Sequence, residues 1–231
     1  MSTTTWPLVL ITQRALRTGP DNVLHDALDR RWYDFARAWG ITLGPIPNEP
    51  PRTESGRQAA GLILSGGGDL AVAPGAGAVD AEREDTEARL IAEARSLGRP
   101  ILGVCRGAQR LWADAGGRLA LTSGHGSGMH DIVPTAAGSA IGMVRTQVNS
   151  FHAYRLAGHA AGTQVLATAR TGTGLSAVVE AFLSSGRLEW GVMWHPERPL
   201  NGPEATRGPV EQFVAAVRNR SNDTTESSCT P

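Results

Sequence analysis

The chain has 231 residues, 41% of them hydrophobic, and its 22 basic and 22 acidic side chains cancel. That length and content support one sizeable core, and zero net charge excludes the basic excess with which nucleic-acid-binding proteins hold phosphates. No nucleic-acid partner is expected. Two cysteines, Cys105 and Cys229, make no disulfide framework, and the apolar run over residues 7–12 is too short for a signal core or a membrane span. A cytoplasmic protein with no membrane partner is therefore expected.

In chain order, residues 8–11 form an apolar run bounded by polar residues and Pro, which reads as a buried parallel strand. Asp21 is placed to cap a helix reaching about residue 39, with Leu24, Leu28, Trp32, Phe35 and Ala36 at helical spacing. Residues 61–64 read as a second strand. Asp80 then caps a helix to about Leu97, which Gly98-Arg99-Pro100 stops. Residues 100–104 and 190–194 read as further buried strands, 108–115 and 209–217 as helices. The alternation implies right-handed crossovers and an α/β fold, a mostly parallel sheet flanked by helices. Residues 118–189 differ: they are richer in Gly, Ser and Thr, and the alternation over 141–148 suits a few added antiparallel strands. One domain over residues 1–219 follows, with the polar residues 220–231 expected as a disordered tail.

The most informative segment is Gly103-Val104-Cys105-Arg106-Gly107, between a buried strand and a helix-forming stretch. It is the cysteine counterpart of the G-x-S-x-G nucleophile elbow. The glycines permit a tight turn and close backbone approach. The thiol then stands at a helix N-terminus, whose positive end favours the thiolate, and the Arg106 N–H faces the space where an oxyanion would develop. Alone, the pattern fits equally well a structural cysteine in a β–α turn.

Partners decide between the two. Gly191-Val-Met-Trp-His195-Pro-Glu197 delivers His195 at a strand end, with Glu197 two residues on. A thiol nucleophile needs a base that later protonates the leaving amine, and the base needs a carboxylate to fix its tautomer. Ser65-Gly66-Gly67-Gly68-Asp69 ends another buried strand in three glycines, and Gly67 N–H is the expected second oxyanion donor. A phosphate loop is the poorer reading there, because the G-x-x-x-x-G-K-[ST] spacing is missing and every basic residue is Arg.

Together Ser65-Gly-Gly-Gly-Asp-Leu70, Arg83-Glu-Asp-Thr-Glu87, Cys105-Arg-Gly-Ala-Gln109, Val148-Asn-Ser-Phe-His152 and His195-Pro-Glu197 resemble the class I glutamine amidotransferase-like superfamily, in its γ-glutamyl hydrolase branch. The resemblance spans about residues 8–217. It implies a flavodoxin-like sheet, a Cys105–His195–Glu197 triad and a γ-glutamyl thioester that water resolves to glutamate. It further implies that Gly66, Gln109 and the Asn149-Ser150 backbone hold the glutamyl head group, with His152 at the rim. The expected partners are a small-molecule γ-glutamyl substrate and, for the assembly, a second copy of the chain. A glutaminase subunit feeding ammonia to a synthase is the alternative.

Asp26-Ala-Leu-Asp-Arg-Arg-Trp32, Pro45-Ile-Pro-Asn48, Asn149-Ser-Phe-His152 and Met193-Trp-His-Pro-Glu-Arg198 are similar to the γ-glutamyl-CDP-amidate hydrolases, which release cytidine diphosphoramidate for capsular polysaccharide modification. On charge, Arg14, Arg30 and Arg31 are then candidates to face the leaving group. Trp112 stands where much of the superfamily carries Asn, which implies a reshaped pocket floor. His125 and His130 lack the helical spacing and the carboxylate partner of a metal site, so no metal and no cofactor are expected.

Overall fold

The computed structural model describes residues 6–48, 58–77, 79–122, 128–170, 177–198, 204 and 207–227, the side chains of 222–227 excepted. Along the chain come β1 (Leu8–Thr12), β2 (Arg14–Thr18), β3 (Val23–Ala27), α1 (Arg31–Trp39), β4 (Thr42–Ile46), β5 (Gly61–Leu64), α2 (Ala81–Ser96), β6 (Ile101–Val104) and α3 (Arg106–Asp114). There follow β7 (Arg118–Leu121), β8 (Gly128–Pro134), α4 (Ala136–Ala140), β9 (Thr146–Ser150), β10 (Tyr154–Ala157), β11 (Thr163–Arg170), β12 (Ala177–Ser184), β13 (Glu189–Val192) and α5 (Pro209–Ser227).

The main sheet has 11 strands, and its path runs β4-β1-β5-β6-β13-β12-β11-β8-β9, with β10 joining β12 to β7. The first five are mutually parallel, and every pairing beyond β13 is antiparallel. The fold is thus a mixed α/β sheet with a parallel core, and its antiparallel part is larger than the few added strands expected. Successive residues of a strand face opposite sides of the sheet. Val9, Ile11 and Ile63 accordingly pack with Trp32 and Phe35 of α1 and Phe213 of α5, while Leu10, Leu62 and Leu64 pack with Leu90 of α2 and Leu111 of α3. Helices cover both faces, which is why the central strands β5 and β6 are apolar and buried throughout.

Asp80 caps α2, its carboxylate accepting the Arg83 N–H at 3.0 Å. The helix expected from Asp21 does not form. Thr18-Gly-Pro-Asp-Asn22 is instead the turn of a β2–β3 hairpin, with Gly19 at φ 74° and Asn22 at φ 52°. Gly-Pro-Asp-Asn is turn chemistry, and it overrides the helical spacing of Leu24 and Leu28. Leu24 is exposed, and only α1, ended by Gly40 at φ 59°, remains helical. Nor does the last helix end at residue 217: α5 continues to Ser227. Val210, Phe213, Val214 and Val217 dock its first turns, and propagating a nucleated helix through polar residues is easy. Residues 228–231 lie outside the described residues.

Register places the functional loops together. Leu64 pairs with Gly103 and Val104 with Val192, so β5, β6 and β13 end side by side. Ser65-Gly66-Gly67, Cys105 and Met193-Trp-His195 all leave the sheet at that edge, the C-terminal edge where α/β folds bind ligands.

Candidate active site

Cys105 joins β6 to α3 at φ 53° and ψ −106°. This conformation is disfavoured for a side-chain-bearing residue, by roughly 1–3 kcal/mol. The surroundings enforce it: the Cys105 N–H donates to Val192 O at 2.8 Å, and the flanking glycines allow α3 to lie on the sheet. A Cβ at Gly103 would come within 2.6 Å of Gly107 O, and one at Gly107 within 2.1 Å of Leu64 O. The sulfur-bearing carbon thus stands at the first turn of α3, where the Arg106 N–H has no intrahelical acceptor.

His195 follows β13. Its Nδ1 lies 2.7 Å from Glu197 Oε1, both side chains are nearly inaccessible, and the imidazole is also hydrogen-bonded to Cys105. Burial opposes its charge, but the bonds to Cys105 and Glu197 and their attraction prevail, raising its pKa to about 9. Asn149 of β9 holds the His195 backbone from both sides. Its Oδ1 accepts the His195 N–H and its Nδ2 donates to His195 O, each at 3.0 Å. The Phe151 ring meets the imidazole edge to face, 6.0 Å between centroids, and Arg198 lies 4.2 Å over that ring.

The glycine loop rests on a buried ionic cluster. Arg83 donates to Ser65 O and Gly67 O, both at 2.7 Å, and pairs through Nε with Glu87 Oε1 at 2.9 Å. A trans peptide directs its N–H opposite to its C=O, so the Gly66 and Gly68 N–H groups point away from Arg83. Arg106 pairs with Glu87 Oε2. Burial works against the Glu87 charge, yet the two arginines hold its carboxyl below the ordinary range. Burial likewise pulls the Arg83 pKa down to about 10, leaving it a cation at neutral pH.

A cleft of about 330 Å³ opens above Cys105, lined among others by Gly66, Gly67, Gln109, His152, His195 and Glu197. The Gln109 Nε2 donates to Tyr154 O at 3.0 Å. A Cβ on Gly66 would reach within 2.7 Å of His195 Cε1, so its glycine keeps the imidazole close. Asn149 and Ser150, expected to offer their backbone to the head group, are buried, and the Asn149 side chain serves His195. Trp112 is buried, its Nε1 donating to Ala157 O at 2.9 Å and its ring packing on Phe182. Of the three candidate arginines, Arg14 lines the cleft and its guanidinium lies against Gly67. Arg31 is occupied by Asp29, whose carboxyl that hydrogen bond holds at about 2 despite burial, and Arg30 is exposed at the start of α1. His130 does have a carboxylate near it, Glu180 at 3.4 Å, and His125 lies outside the described residues. Among the described residues no three His, Cys, Asp or Glu side chains are grouped to hold a metal ion, and no helix is long and apolar enough to cross a membrane.

Residues 23–197, which include this whole histidine–carboxylate–cysteine arrangement, match the Peptidase C26 family. The chain belongs to that family. Membership makes it one of a family of cysteine hydrolases, the γ-glutamyl hydrolases, on the class I glutamine amidotransferase-like fold. It is 31% identical to protein NtpR of Enterococcus hirae over 195 residues, 73% of this chain and 80% of that protein. In fold it is similar to a candidate GMP synthase subunit protein of Thermoplasma acidophilum, with a TM-score of 0.71, 16% identity and coverage of 95% of this chain and 98% of the other. A glutamine amidotransferase of Thermotoga maritima is also similar, with a TM-score of 0.60, 14% identity and coverage of 97% and 86%.

Proposed function

We propose that the protein hydrolyses γ-glutamyl amides through a thioester on Cys105. The observation that carries this reading is the His195 ring, bonded to Glu197 at 2.7 Å on one nitrogen and to Cys105 beside it. With the proton on the imidazole, the Cys105 sulfur attacks the γ-carbonyl carbon, and the carbonyl electrons move onto oxygen. Arg106 N–H and the Gly67 N–H receive that oxyanion, with the Gly66 N–H a further donor by its orientation. On collapse the C–N bond breaks, the amine leaves with the His195 proton, and the thioester remains. Water then gives a proton to His195 and attacks the thioester. The sulfur departs, leaving glutamate, and the imidazolium–thiolate pair is restored. Gln109 and His152, at the cleft wall, are the side chains proposed to meet the glutamyl head group.

For the leaving group we propose a nucleoside diphosphoramidate, released as cytidine diphosphoramidate. What supports it is the resemblance at residues 26–32 and 193–198 together with Arg14, a cation beside the glycine loop. A panel of γ-glutamyl amides including glutamine and a γ-glutamyl nucleoside diphosphoramidate tests both levels. Preference for the diphosphoramidate without a partner protein supports the full reading, and preference for glutamine confines the chain to a glutaminase role. Absence of turnover, and of a glutamyl adduct on Cys105 by mass spectrometry, refutes the thioester.

A further inference from the structure

We propose that Glu87 is a positioning residue that sets the spacing between the Arg106 N–H and the N–H groups of the Gly66-Gly67 loop, the donors proposed for the oxyanion. The inference rests on the thioester reading above, because only a reaction that builds an oxyanion needs those donors held against each other.

One carboxylate reaches both halves of the hole. Its Oε1 accepts from Thr12 Oγ1 at 3.1 Å and Arg83 Nε at 2.9 Å. Thr12 Oγ1 in turn accepts the Ser65 N–H at 3.0 Å, and Arg83 holds the Ser65 and Gly67 carbonyls. The glycine loop is therefore fixed at the Ser65 N–H, at Ser65 O, whose peptide carries the Gly66 N–H, and at Gly67 O, so the Gly67 N–H lies between two held peptides. Oε2 pairs with the side chain of Arg106, the residue whose own N–H is the opposite donor. The direction of the bonds is self-consistent: an ionised Glu87 only accepts, which obliges Thr12 to donate to it and leaves the threonine lone pair for Ser65.

A purely structural ion cluster explains this poorly. Glu87 is 0% exposed and Arg83 and Arg106 no more than 2%. A buried triad of this kind is often no more stabilising than apolar side chains of the same volume. What apolar residues would not do is orient peptide groups. Donors act when they lie about 2.7–3.1 Å from the developing oxygen, and a displacement near 1 Å lowers the rate about 100-fold.

The test uses the whole chain and three variants, with kcat and KM on the best γ-glutamyl amide and the rate of Cys105 alkylation by iodoacetamide. Thr12→Val is close to isosteric and cuts only the loop arm. It is expected to lower kcat about 10-fold while KM stays within about twofold. Alkylation, which builds no oxyanion, stays at the parent rate. Thr12→Ser restores the hydroxyl and is expected to recover kcat to within about twofold. Glu87→Gln, which weakens both arms, is expected to lose about 100-fold in kcat. Because Glu87→Gln leaves two buried arginines facing a neutral amide, Thr12→Val is the deciding variant should it misfold. A folded Thr12→Val protein with parent kcat, or one in which alkylation falls along with kcat, overturns the inference while the thioester reading stands. A parent protein that turns over no γ-glutamyl amide overturns the thioester reading and this inference with it.

Discussion

Cys105 stands between two buried carboxylates that differ in the kind of cation each faces. Glu197 faces an imidazole, whose charge can change within the ordinary pH range, and Glu87 faces two guanidinium groups, whose charge does not. The first pair can move protons. The second can only hold geometry. Both carboxylates are nearly inaccessible, so burial alone does not distinguish a proton-handling site from a scaffold; the titration range of the partner does.

The largest expected effect removes the group between them. Cys105→Ser should fold normally and lose on the order of 10³-fold or more in kcat/KM, with no glutamyl adduct visible by mass spectrometry. On the Glu197 side, Glu197→Gln should lower kcat about 100-fold, less than removal of His195, because the base stays while its orientation and charge support go. The same variant sharpens the proton argument. The parent's activity should fall as pH rises through about 9, where His195 loses its proton, and Glu197→Gln should move that alkaline limb to lower pH. Stability carries the same sign. A folded pKa raised from 6.5 to about 9 stabilises fully below about 6.5, so Tm should decline as pH climbs from there through 9.

A smaller loss is expected at Asn149→Ala, which strips the His195 backbone of both partners. Leaving those buried groups unsatisfied should cost about 1–3 kcal/mol, read as a lowered urea midpoint, with kcat reduced more than KM is changed. The smallest effect should come from Arg14→Ala. We expect KM to rise about threefold to tenfold for an anionic leaving group and to stay level for glutamine, measured on the two substrates in parallel.

What the sequence discloses is local. The elbow is legible because strand, glycines, cysteine and helix start lie within a few residues, and the His-Pro-Glu turn is legible for the same reason. The β2–β3 hairpin is not, because Leu24, Leu28 and Trp32 happen to fall at helical spacing and the turn residues before them mimic a cap. The place of Asn149 is hidden because its partner, His195, is 46 positions away and unrelated in pattern. Arg83 and Glu87, four apart on α2, do signal one helix face. That this face meets Thr12, 75 residues back, follows only from β1 lying beside β5 in the sheet.

The β2–β3 hairpin pairs with itself and with no strand of the main sheet, yet it begins two residues after Thr12 and brings Arg14 over Gly67. It adds no strand to the parallel core, to which Asp26 fastens it by accepting the Asn48 N–H at 2.9 Å, and it stands at the mouth of the cleft. Its outer residues, Arg17 to Leu24, make no strand pairing with the sheet, so changes at that end leave every register of the core as it is. Under the proposed function, this ribbon is where the choice of leaving group is written, while the Cys105, His195 and Glu197 side chains are held from other strands.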